Sequence, residues 1–228
     1  MKYVLINKDM PSESINILNK YGKIVKTTEN KNLLEGLRAH PDMLVHVLPN
    51  KDIVCDRDNF SYYKEIFKDR NVIPTSKPLE KKYPGDVALN CFTFKNYFIH
   101  NINYTDEKIL SYYKNNGYNI ICVRQGYSKC STLVTCDFLV TSDDGIYSSL
   151  KDTLPIYKIN FKNIKLKNFD YGFIGGSSGS LSREVFLTGE LRDYDSKSAL
   201  QEILNKYDYK LNVLSSNPIE DYGSILFI

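Results

Sequence analysis

Apolar, strand-like runs recur along this chain at near-regular spacing. They begin near Leu44, Val87, Leu133, Phe173 and Tyr222, at separations of 43, 46, 40 and 49 residues. The first runs from Leu44 to Cys55. The next three each hold two stretches: Val87–Cys91 with Asn96–His100, Leu133–Thr135 with Phe138–Thr141, and Phe173–Gly175 with Val185–Thr188. Helical spacing fills the intervals. It predicts helices over 11–20, 33–37, 60–68, 105–117, 144–152 and 195–207. Phe60, Tyr63 and Phe67 share one face, as do Leu200, Ile203 and Leu204. Thr105 at the start and Gly117 at the end mark the limits of the fourth. Short strands then follow at 71–74, 118–123, 154–159 and 210–214. The repeating unit is hairpin, helix, strand, and self-similarity at a fixed period signals a repeat architecture. Tyr3–Ile6 and Ile225–Ile228 each supply half a hairpin. Joined, they complete a fifth unit and close a ring, which removes the exposed edges of an open sheet. An open mixed α/β sheet is the alternative that the same pattern allows.

Bulk properties narrow the class. A chain of 228 residues fits one large domain or two small ones, and the repeat favours a single domain over 1–228. Such a chain buries roughly 70% of its unfolded surface, so it folds without a metal or disulfide. Its net charge is +3 with scattered lysines, and no basic block or basic-aromatic stripe points to nucleic acid. No stretch approaches the length of a membrane span. The opening Met1–Asn7 lacks the features of a secretion signal, so a cytoplasmic location is expected. The five cysteines, Cys55, Cys91, Cys122, Cys130 and Cys136, are odd in number and spread through strand-like runs. That suits free thiols in a reducing compartment, and Cys91 and Cys136 read as core. No Cys-x-x-Cys occurs, and His40, His46 and His100 lack ligand spacing, so no metal or other cofactor is expected.

Several segments resemble one known family. Pro41-Asp-Met-Leu-Val-His-Val47 resembles an acidic turn and strand, Pro84-Gly-Asp-Val-Ala-Leu89 a Gly-Asp-Val motif, Gln125-Gly-Tyr-Ser-Lys-Cys-Ser131 a histidine segment, and Asp221-Tyr-Gly-Ser-Ile-Leu226 a C-terminal cysteine segment. All belong to the pentein fold of the guanidino-group-modifying enzymes, which include arginine and agmatine deiminases and dimethylarginine hydrolases. The resemblance implies a five-fold pseudo-symmetric α/β propeller. Gly126–Ser131 and Gly172–Gly176 are also similar to segments of a mostly bacterial branch lacking the usual catalytic cysteine and histidine. In the family a thiolate attacks the guanidinium carbon, a histidine moves protons and carboxylates hold the nitrogens. The resemblance implies that Asp42 and Asp86 keep the carboxylates. It sets Gln125 at the histidine and Gly223, beside Ser224, at the cysteine.

The individual residues carry open alternatives. Asp42 and Asp86 suit a cationic ligand at the ring axis, and they equally suit turns. Cys130 follows Lys129, which lowers a thiol pKa if the two meet; the plainer role is a small buried hydrophobe. His40 is a replacement base or a helix-end residue. Ser128, Ser177, Ser178 and Ser224 are candidate ligand contacts. Gly175–Ser180 forms an anion cradle or a flexible hairpin loop. Three functions follow: a protein binding a small polar or cationic metabolite without covalent chemistry, an enzyme with Cys130 or Ser224 as a shifted nucleophile, and a non-enzymatic interaction scaffold. The expected pocket gathers Asp42, Asp86, Gln125 and Ser224.

Overall fold

The structure, a computed structural model, describes residues 2–228. It holds five three-stranded sheets, one per unit. The unit that contains both termini joins β1 (Tyr3–Ile6), helix α1 (Ser12–Leu18) and β2 (Lys23–Lys26). The next contains α2 (Pro41–Leu44), β3 (Val45–Val47), β4 (Ile53–Cys55), α3 (Phe60–Ile66) and β5 (Val72–Pro74). Then come β6 (Phe92–Phe94), β7 (Tyr97–His100), α4 (Glu107–Asn115) and β8 (Asn119–Cys122). The fourth unit has β9 (Thr132–Val134), β10 (Leu139–Thr141), α5 (Asp144–Leu150) and β11 (Ile156–Lys158). The last has β12 (Ser178–Leu181), β13 (Glu184–Leu187), α6 (Tyr194–Lys206) and β14 (Lys210–Val213), and β15 (Leu226–Phe227) ends the chain.

In each unit the first two strands pair antiparallel and the third pairs parallel to the second. A parallel pair needs a crossover, and in every unit a helix provides it. The ring closes as the pattern predicts. Val4 faces Phe227 and Leu5 faces Leu226, and the amide of Tyr3 donates to the carbonyl of Ile228 at 2.8 Å. The fold is a five-fold α/β propeller. The first strand of each hairpin lies innermost: β3, β6, β9, β12 and β15 all line one axial cavity of about 240 Å³. The second strands are the most buried and pack on the helices through Tyr63, Phe67, Phe98, Tyr113, Leu200 and Leu204, all fully buried. Phe98 stacks on Tyr113 at 4.1 Å.

Some local expectations need correction. The third and fifth runs place their inner strand correctly, whereas 87–91 is turn and the strand begins at Phe92. Asp106, not Thr105, caps α4: its carboxylate accepts from Lys108 N at 3.0 Å, while the Thr105 hydroxyl bonds His100. Cys136 is exposed, because Thr135-Cys-Asp137 is the turn between β9 and β10. The segment 175–180 is no loose loop. Ser178–Leu181 is the inner strand β12, and its small residues answer crowding at the axis: a Cβ on Gly179 would lie 2.6 Å from the Ile225 carbonyl oxygen. Among the described residues no helix is long and apolar enough to cross a membrane.

Candidate functional site

The loops that precede the inner strands meet on the axis. Asp42 lies in the first turn of α2, which Pro41 initiates. Asn90 precedes β6, Lys129 and Cys130 precede β9, Gly175 and Gly176 precede β12, and Asp221 to Ser224 precede β15. The Ser224 hydroxyl donates to Asp42 Oδ2 at 2.5 Å, with the Gly175 carbonyl 2.8 Å away. Lys129 Nζ donates to Ser224 Oγ at 3.0 Å. The Cys130 thiol donates to the same Asp42 Oδ2 at 3.0 Å. Asn90 ties this plug together. Its side-chain oxygen accepts from the amides of Lys129 and Cys130 at 2.9 and 3.1 Å, and its Nδ2 lies 3.1 Å from Cys130 Sγ. Ser224 holds this position with φ +73°, a conformation that non-glycine residues adopt at a cost and that clusters at functional sites.

Electrostatics keep Cys130 protonated. Burial pushes its thiol well up, and the Asp42 and Asp221 carboxyls push the same way, with Asn90 opposing. Of the two alternatives for Cys130, the buried thiol is the one met: the Lys129 ammonium donates to Ser224, and burial dominates the thiol. Desolvation lowers the Lys129 ammonium from its ordinary value, against the pull of Asp42, Cys130 and Asp221. Burial raises the Asp221 carboxyl to about 6, and its oxygens accept from the amides of Phe173 and Gly223 at 2.9 Å each.

Beside the plug lies a cavity of about 200 Å³ with His40, Cys130 and Asp221 at its floor. Tyr127, Phe169, Tyr171 and Phe173 form its walls, with Asp170 at the rim. Tyr127 and Phe173 stack with ring centres 6.4 Å apart, and Tyr171 meets Phe173 edge-on at 5.6 Å. Among the described residues no lysine or arginine lines this cavity. Gly223 lies behind His40 with φ +79°, and a Cβ there would lie 2.2 Å from His40 Cβ. His40 therefore fills the space that a side chain at 223 would need.

The expected pocket residues do not all meet. Asp42 and Ser224 touch. Asp86 joins indirectly, through Tyr127, whose hydroxyl donates to its Oδ2 at 2.5 Å; burial raises the Asp86 carboxyl. Gln125 is turned away: its amide donates to Asp143, the N-cap of α5, and its oxygen accepts from Tyr127 N. That N-cap acceptor holds the side chain outside the plug. Ser128 and Ser177 direct their hydroxyls to the backbone carbonyls of Gln125 and Phe173. Ser178 is fully buried, 3.4 Å from the Gly175 carbonyl. The segment thus offers no hydroxyl cradle for an anion. Sequence reasoning missed Asn90, Tyr127, Phe173 and Asp221. A polar Asn90 inside the apolar stretch Val87–Cys91 was the one local signal.

The model of a family of unknown function, DUF6873, matches residues 5–226. The chain belongs to this family. No curated protein matches the sequence. Solved structures do. The dimethylarginine dimethylaminohydrolase DDAH of Pseudomonas aeruginosa, as a mutant complexed with citrulline, superposes with a TM-score of 0.58 at 7% identity, covering 94% of this chain and 92% of that one. The product-bound N-terminal domain of the cyanobacterial arginine dihydrolase ArgZ gives 0.56 at 9% identity, covering 98% and 94%. The amidinotransferase SxtG of Microseira wollei gives 0.57 at 12% identity, covering 90% and 73%. At these identities the likeness establishes the DUF6873 chain as a member of the fold that guanidino-modifying enzymes share, and the fold alone.

Proposed function

We propose that this DUF6873 protein binds a small organic cation, a guanidinium or amine compound, in the aromatic cavity, without covalent cysteine–histidine catalysis. The observation that carries this reading is the cavity lining: four aromatic rings, carboxyls at floor and rim, and neither lysine nor arginine. A cation gains from aromatic faces and from nearby carboxylates, most strongly where water is excluded. The structural neighbours support the ligand class, since their names concern arginine derivatives and amidino transfer. The test is calorimetric titration with agmatine, arginine, methylguanidine and putrescine, with glutarate as an anionic control. One or more of the cations should bind at a single site. Tyr171→Ala, at a 63% exposed position, should weaken binding about two- to fivefold by loss of one cation–π face, and Asp170→Asn should weaken it in a salt-dependent way. Binding of glutarate alone, or cation binding indifferent to both changes, would refute the reading.

The same proposal extends to covalent turnover, which we expect to be absent. The resemblance sets Gly223 at the nucleophile and Gln125 at the base, and neither residue type can serve. Cys130 is a protonated thiol under a carboxyl. The protein should form no citrulline from arginine or methylarginine and no carbamoyl-putrescine from agmatine, each missing role being worth orders of magnitude in rate. One observation favours a second reading. Ser224 Oγ sits between Lys129 Nζ and Asp42 Oδ2, and a desolvated lysine can activate a hydroxyl. Turnover lost in both Ser224→Ala and Lys129→Met but kept in Cys130→Ala would establish that reading and displace the first.

A further inference from the structure

We infer that His40, Asp42 and Cys130 form a mononuclear zinc site at the floor of the aromatic cavity. One donor atom from each lies within 4.8 Å of the other two. The three residues are 2%, 1% and 2% exposed, so this is no accident of surface side chains. His40 Nδ1 and Asp42 Oδ1 are buried without any hydrogen-bond partner. Leaving a buried polar atom unsatisfied costs about 1–3 kcal/mol, and two such atoms in one cluster, in a plug otherwise densely bonded, point to a ligand they share.

The donor set selects the metal. One imidazole, one thiolate and one carboxylate suit zinc; calcium and magnesium take oxygen ligands. The surroundings resemble an outer shell that fixes ligands in place. Asn90 Nδ2 approaches Cys130 Sγ at 3.1 Å, and Ser224 donates to Asp42. On binding, the metal takes the place of the thiol proton that Cys130 shares with Asp42, and that proton leaves to solvent. His40 and Cys130 both line the cavity, so the fourth position of the tetrahedron would face it. One thiolate and one carboxylate balance the dication, which leaves Asp170 and Asp221 to attract an organic cation. The zinc site therefore stands or falls independently of the proposed cation binding.

Purified full-length protein, stripped with a chelator and then dialysed, is titrated with Zn²⁺ alone and separately with Co²⁺ alone. Binding of one Zn²⁺ per chain is expected, together with a thiolate-to-cobalt charge-transfer band on Co²⁺ addition. Cys130→Ser should abolish that band, and Cys130→Ser and His40→Gln should each weaken Zn²⁺ binding by more than about 100-fold, the upper effect of losing an outer-shell partner. Asn90→Ala should weaken it about 10–100-fold. Cys136→Ser, which removes an exposed thiol in the turn between β9 and β10, should change nothing. The wild-type cobalt spectrum needs no variant and so survives any misfolding of the substitutions. No stoichiometric Zn²⁺ binding, a cobalt complex without a thiolate band, or a band that persists in Cys130→Ser would overturn the assignment.

Discussion

Gly223→Ala is expected to destabilise the fold by about 2–5 kcal/mol, from left-handed backbone strain of roughly 1–2 kcal/mol plus overpacking of roughly 1–3 kcal/mol. The new Cβ would fall 2.2 Å from His40 Cβ and 2.5 Å from His40 Cα. A backbone atom cannot rotate aside, so α2 or the segment leading to β15 must shift. Gly117 supplies the control. Its φ is +72°, close to that of Gly223, but a Cβ there meets nothing within 4 Å. Gly117→Ala should therefore cost only the backbone share, about 1–2 kcal/mol. Urea midpoints of the two variants separate strain from crowding. Equal losses would show that His40 does not occupy the side-chain space at 223. The same clash predicts that Gly223→Cys will not install a working nucleophile, since its side chain has no room beside the cavity.

Acid should unfold this protein through two histidines. His46 and His100 are buried, and desolvation holds their pKa values down to about 3 and about 4, from an ordinary 6.5. Their ring nitrogens are engaged: His100 with Thr105 Oγ1 at 2.7 Å and the Gly126 carbonyl at 2.8 Å, His46 with the Tyr113 hydroxyl at 2.9 Å and Cys91 at 3.3 Å. Both are neutral in the fold at pH 7. The unfolded chain takes up a proton on each below pH 6.5, and the folded chain does not until about pH 4 and 3. Stability is thus complete above pH 6.5 and falls as pH drops, by about 1.4 kcal/mol per histidine per pH unit. Asp221 runs the other way. Its carboxyl, raised to about 6, takes a proton in the fold first and offsets part of the loss between pH 6 and 4. The decisive measurement is therefore a difference. Urea unfolding of wild type and His100→Gln from pH 7 to 4.5, with a chelator present, should show the variant's stability falling less steeply by one proton's worth. Glutamine can still donate to the Gly126 carbonyl. Parallel pH profiles would mean that His100 is not held neutral.

The sequence alone determined the repeat. Hydrophobic period and turn chemistry are local, so the helices of 60–68, 144–152 and 195–207 and the third strands of four units could be placed from residues within a few turns of each other, whereas β2 (Lys23–Lys26) was not read. Ring closure was legible as well, because Tyr3–Ile6 and Ile225–Ile228 each lack a hairpin partner nearby in sequence. The axis was not legible. Asp42, Asn90, Cys130 and Ser224 come from four different units, and no spacing rule relates residues 40 to 182 positions apart. Gln125 lies in the same loop as Lys129 and Cys130, but its side chain follows the nearer acceptor on Asp143. Whether Cys130 is reactive was likewise beyond its neighbour Lys129, since thiol acidity depends on burial and on Asp42 and Asp221 brought from elsewhere in the chain. The same holds for metal ligands. Spacing excludes a local zinc motif, whereas His40, Asp42 and Cys130 become neighbours only because five inner strands converge on one line. Local chemistry built the units, and the packing of those units around the axis decided which polar groups face one another away from water.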